Sequence, residues 1–134
     1  MILLDTSVVS AALRRRRRGA REQSVATRLG ELLAGDDSVA LPGIVFQELL
    51  SGLAESAQRD RLLKAVSESF PLILATLGDH LKAADLVTQA ARQGRALSTP
   101  DALIAAQAIN RRALLYTTDE DFVALAGFSN LRLL

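Results

Sequence analysis

Four acids could do chemistry together: Asp5 in MILLDTS, Glu48 in GIVFQELLSGL, Asp101 in STPDALIAAQAIN and Asp119 in ALLYTTDEDF. Carboxylates drawn from distant segments can share a hard divalent cation such as magnesium or manganese. An ion held that way, with water completing its shell, suits phosphodiester hydrolysis. Taken singly, each acid has a plainer reading. Glu48 fits a surface glutamate, and Asp101 fits a carboxylate placed in a helix's first turn, where the dipole favours it. The elements around the acids decide whether they can meet.

Ile2, Leu3 and Leu4 run into Asp5 without alternation, which predicts a strand buried on both faces. Burying a carboxylate is costly unless something neutralises it. Asp5 is therefore expected just past the strand's C-terminal end, where open α/β sheets keep their ligand crevices. Thr6 and Ser7 follow with hydroxyls that can cap a helix or bond a carboxylate or a water.

Further strands are expected at Ser38 to Leu41, Pro71 to Ala75, Ala113 to Thr117 and Leu131 to Leu134. Helices are expected between them. Val25, Leu29, Leu32 and Leu33 mark one face of Glu22 to Ala34, and Leu62, Leu63 and Val66 the buried side of 55–69. Leu77, Leu81, Ala84, Val87 and Ala91 make the stripe of a long helix from Leu77 to Gln93, with Thr76 as its cap and Gly94 as its end. Thr99 is expected to cap the next helix, with Pro100 as its first residue and an interior apolar nearly all round. Thr118 to Phe122 opens a short helix before the last strand.

This alternation predicts a single α/β domain over residues 1–134, with a mostly parallel sheet of about five strands between helical layers. Asp5 and Asp119 then both emerge at C-terminal strand ends, and Asp101 opens a helix facing the same edge. Glu48 can reach that edge if its helix leans over it. Like charges so gathered raise one another's pKa and call for a cation.

The net charge of +1 excludes a general polycation, yet arginine outnumbers lysine fourteen to two. Arg14, Arg15, Arg16, Arg17 and Arg18 form an unbroken run. That run fits a solvated helix end, a contact with the phosphate backbone of RNA, or a docking site for an acidic partner. The lone His80 reads as solvated, because no second histidine or cysteine is present to share a metal. No signal peptide and no apolar run near the ~20 residues of a membrane span is visible, which points to the cytoplasm.

The pieces LLDTSV, the glutamate of FQELLSG, TPDALIAAQA and LLYTTDEDF together resemble the four blocks of the PIN-domain nucleases, and in particular the VapC-type toxins of toxin–antitoxin pairs. The resemblance spans essentially the whole chain. It implies a five-stranded parallel sheet in the order 3-2-1-4-5. It makes Asp5, Glu48, Asp101 and Asp119 the catalytic acids, with Asp5, Asp101 and Asp119 on the metal. Thr6, Ser7, Thr118 and Asp121 support them, and Asp119 and Asp121 compete for the fourth place. It also implies RNA cleavage with Mg2+ or Mn2+, inhibition by a VapB-type antitoxin, and a homodimer. Rival readings are a phosphate-accepting receiver domain, a metal-dependent phosphatase and a catalytically silent RNA- or partner-binding module. The receiver would want adjacent acids near the first strand and a late lysine. Here a single acid stands there, and Lys64 and Lys82 fall within helices.

Overall fold

The computed structural model describes residues 1–13 and 19–134. Arg14, Arg15, Arg16, Arg17 and Arg18, whose sequence reading left a solvated helix end, an RNA contact and a docking site open, lie outside the described residues. The strands are β1 (Ile2–Leu4), β2 (Val39–Pro42), β3 (Leu72–Ile73), β4 (Leu114–Tyr116) and β5 (Arg132–Leu133). They form one sheet in the order β3-β2-β1-β4-β5, every pairing parallel, as the resemblance implied. The apolar runs explain the centre: every residue of β1 and β2 is buried, as expected of strands covered on both faces.

The helices are α1 (Thr6–Leu13), α2 (Ala20–Ala34), α3 (Gly43–Ser51), α4 (Ser56–Ser69), α5 (Leu77–Arg92), α6 (Thr99–Asn110) and α7 (Glu120–Ala126). α1 packs on α2 and α3, while α6 packs on α5 and α3. Leu3, Leu4, Leu41, Ile104, Leu115 and Phe122 anchor one continuous core. No helix among the described residues is long and apolar enough to cross a membrane.

Several expectations need correction. β3 is only two residues long, and Leu74 beyond it is 74% exposed. Leu33 and Leu63 face solvent, while Val25, Leu29, Leu32 and Val66 are buried as expected. α6 is capped by Ser98 rather than Thr99. The Ser98 Oγ accepts from the Asp101 N–H at 3.2 Å, so Thr99 and Pro100 become the first two helical residues. The α6 interior is not wholly apolar either. Gln107 is fully buried and donates from Nε2 to the Ile73 carbonyl at 3.1 Å, tying α6 to β3.

The largest departure is α5, whose expected stripe points outward. Leu77 is 76% and Leu81 61% exposed, and Ala84, Val87 and Ala91 are also on the surface. The buried face is Asp79, Ala83, Leu86 and Ala90. Small residues let α5 lie close to the alanine-rich α6. Asp79 closes the contact. It shares a capping box with Thr76, accepts from Asn110 Nδ2 at 2.9 Å, and pairs with Arg111 at 3.0 Å. Burial pushes its carboxyl up. The hydrogen bonds from Arg111, the Thr76 backbone and Asn110, with the Arg111 charge, outweigh that and hold it at about 2.

Candidate active site

Each acid is placed by the end of an element. Asp5 follows β1, and its backbone N–H still donates to Tyr116 of the neighbouring β4 at 3.0 Å. Asp5 is 3% exposed, and its carboxylate is met by hydrogen-bond donors. Oδ2 accepts from the Ser7 Oγ at 2.7 Å, the Ser7 N–H at 3.3 Å and the Thr117 Oγ1 at 2.8 Å. Among the described residues no hydrogen bond falls on Oδ1, which leaves that oxygen for another ligand.

Glu48 lies on α3, half-buried, and its Oε1 accepts from the Thr6 Oγ1 at 2.8 Å. Thr6 and Ser7, adjacent at the start of α1, thus hold one acid each. Asp119 caps α7, with Oδ1 accepting from the Asp121 N–H at 2.9 Å. Its own N–H donates to Thr117 Oγ1 at 3.0 Å, and the Thr118 N–H donates to Ser7 Oγ at 3.1 Å. One network therefore runs from Asp5 through Ser7 and Thr117 to Asp119.

Asp101, in the first turn of α6, reports how close the acids come. Its carboxyl titrates above the usual range, first because it is desolvated and then because Asp119, Asp5 and Glu48 are all charged nearby; a hydrogen bond with Ser98 opposes them. Carboxylate oxygens of Asp101, Asp119 and Asp121 lie within 4.8 Å of one another. The tight group therefore holds both Asp119 and Asp121, which the sequence sets in competition. Asp5, expected in that first group, stands outside it with Glu48, within electrostatic range of Asp101. The arginine candidates Arg14, Arg15, Arg16, Arg17 and Arg18 are not among the described residues, so the site is built without them.

Residues 2–127 match the family model of the PIN domain. The chain belongs to the PIN domain family. No curated protein sequence matches it significantly. Among solved structures, this PIN domain is similar to a chain of VapBC2 from Rickettsia felis bound to a DNA fragment from their promoter. Identity is 23%, the TM-score 0.80, and 100% of this chain and 98% of that one are covered. It is similar to a chain of FitAcB from Neisseria gonorrhoeae at 24% identity, TM-score 0.80, over 99% and 96% of the two chains. A third is Mycobacterium tuberculosis VapC20, a sarcin-ricin loop cleaving toxin, at 22% identity, TM-score 0.72, over 98% and 99%. These likenesses establish the shared fold.

The donor set of this PIN domain fits a hard cation. It is all carboxylate oxygen, with neither histidine nor cysteine in the group. Repulsion among these acids, felt in the raised Asp101 carboxyl, is what a divalent ion would relieve. Sequence reasoning misses two participants. Thr117 reads only as the last residue of a strand, though a hydroxyl at a strand end beside the acids of TTDED is a usable signal. Ser98 is passed over for Thr99; an N-cap oxygen bonds the N–H two or three positions on, and three positions from Ser98 is Asp101.

Proposed function

We propose that this PIN domain is a metal-dependent ribonuclease, the toxin of a VapC-type toxin–antitoxin pair, acting in the cytoplasm. The observation that carries the reading is the approach of Asp101, Asp119 and Asp121, whose carboxylate oxygens lie within 4.8 Å of one another, joined to Asp5 through Thr117. Asp101, Asp119 and Asp121 would hold Mg2+ or Mn2+, and Oδ1 of Asp5 faces no competing donor among the described residues. When bound, the ion supplies Lewis acidity at a phosphodiester and lowers the pKa of water. Glu48, oriented by Thr6, is placed to take a proton from an attacking water. Ser7 and Thr117 orient Asp5 by donating to its Oδ2.

Purified protein should cut single-stranded or looped RNA with Mg2+ or Mn2+, lose all cleavage with a chelator, and leave a small phosphate ester untouched. Hydrolysis of the ester but not RNA would transfer the site to the phosphatase reading. RNA binding without turnover would make it a silent module. Replacing Arg14, Arg15, Arg16, Arg17 and Arg18 together with glutamine should weaken RNA binding and flatten its salt dependence if the run meets phosphate.

Two surfaces fit the partners this reading brings. A groove of about 720 Å3 between α1, α3 and α4 is lined by Leu13, Leu49, Leu53 and Leu62 together with polar groups that include Glu48, Thr6 and Arg61. An apolar antitoxin segment seated there would close the site. The outward face of α5 suits a second copy of this chain. With two α5 helices antiparallel and Ala84 at the twofold axis, the large Leu77 would meet the small Ala91.

A further inference from the structure

Asp119 enters the acidic group from a turn, residues 117–119, that is held at successive backbone atoms. Two holds come from hydroxyls already bonded to Asp5: Ser7 Oγ accepts the Thr118 N–H, and Thr117 Oγ1 accepts the Asp119 N–H. The third comes from elsewhere. Nη2 of Arg21, in the first turn of α2, donates to the Thr118 carbonyl at 3.0 Å across 97 positions. Arg21 also lines a cavity of about 290 Å3 with Ser7, Val25 and Thr118.

We propose that Arg21 is a positioning residue for the metal-binding acids: by clamping the Thr118 carbonyl it fixes the direction in which Asp119 meets Asp101 and Asp121. The inference rests on the nuclease reading and gives the site a support outside its acids. Carboxylate oxygens of Asp119 and Asp101 lie within 4.8 Å of each other, and a turn free to rotate would let these like charges move apart. A clamp on the preceding peptide holds it in the group before an ion arrives. Groups that orient metal ligands in this way commonly shift affinity by about 10–100-fold.

The sign of the effect separates positioning from simple charge. Arg21 is a cation bonded one residue from a metal ligand, so on charge alone its removal would tighten binding of a divalent cation. On positioning, its removal loosens binding. The experiment titrates Mn2+ into the RNA-free full chain by calorimetry, for wild type, Arg21→Met and Arg21→Lys, with the metal-free Tm measured for each. Methionine keeps an unbranched apolar stem and loses every donor; Arg21→Ala serves the same purpose if methionine packs badly. The expected result is Mn2+ affinity about tenfold weaker in the donor-less variant, an intermediate value for lysine, and unchanged metal-free Tm. Affinity equal to or tighter than wild type in the donor-less variant overturns the role. So does a raised KM for RNA with Mn2+ affinity unchanged, which would make Arg21 a substrate contact. A wild-type chain that binds no Mn2+ overturns the nuclease reading along with it.

Discussion

Thr117 Oγ1 donates to Asp5 Oδ2 at 2.8 Å, joining the ends of two adjacent strands across 112 positions. The same hydroxyl accepts from the Asp119 N–H at 3.0 Å. A single side chain therefore aligns two acids.

Thr117→Val keeps the shape and removes both bonds. Cleavage should fall about 10–100-fold while the fold stays intact. Single-turnover RNA cleavage, beside a circular dichroism melt, checks it; wild-type rates in the valine variant would remove Thr117 from the site.

Asp101→Asn should abolish cleavage and make the metal-free protein more stable. The wild-type carboxylate is desolvated and repelled by its neighbours, and the neutral amide escapes both costs. The metal-free Tm should rise by about 3 °C for each kcal/mol relieved. A lowered Tm would mean that the acids are not crowded.

Asp79 makes the chain acid-sensitive in a defined window. Its folded pKa of about 2 lies below its ordinary value of 3.8. Its ionised form thus stabilises the fold fully above pH 3.8, and that contribution is lost as pH falls toward 2. The amount is about 2 kcal/mol. Urea unfolding at pH 6 and pH 2.5 should show this fraction of the loss disappear in Asp79→Asn, which itself should be less stable at neutral pH because Arg111 loses its ion pair.

Leu77→Glu with Leu81→Glu should convert a dimer to a monomer without lowering the monomer's stability, since both residues are exposed in the single chain. Light scattering after size exclusion reads the mass directly. A dimer that persists would move the contact off α5.

How much of the molecule is legible in its sequence follows the range of the interactions involved. β1 and β2 are readable because a strand covered on both faces is written as an unbroken apolar run. Asp5, Asp101 and Asp119 stand out as candidates because they lie just beyond such runs or at a helix start, whereas Glu48, inside α3, carries no such local mark. α5 misleads because periodicity shows that a face exists, not which face packs. Its inward side is decided by Ala83 and Ala90 fitting α6, and by Asp79 finding Asn110 and Arg111 more than thirty positions away. Asp121 looks secondary for its distance from the strand end, yet its N–H bond to Asp119 folds it back into the group. Thr117 and Arg21 act only through partners that the fold supplies.

The central place of β1 has a consequence for biosynthesis. β1 is flanked by β2 on one side and, on the other, by β4, which is translated much later. Until β4 emerges, Asp5 lacks Thr117, and neither Asp119 nor Asp121 has been translated. A growing polypeptide of this design carries Asp5, Glu48 and Asp101 well before the turn that bears Asp119 and Asp121, so the group of acids is assembled only once β4 has paired with β1.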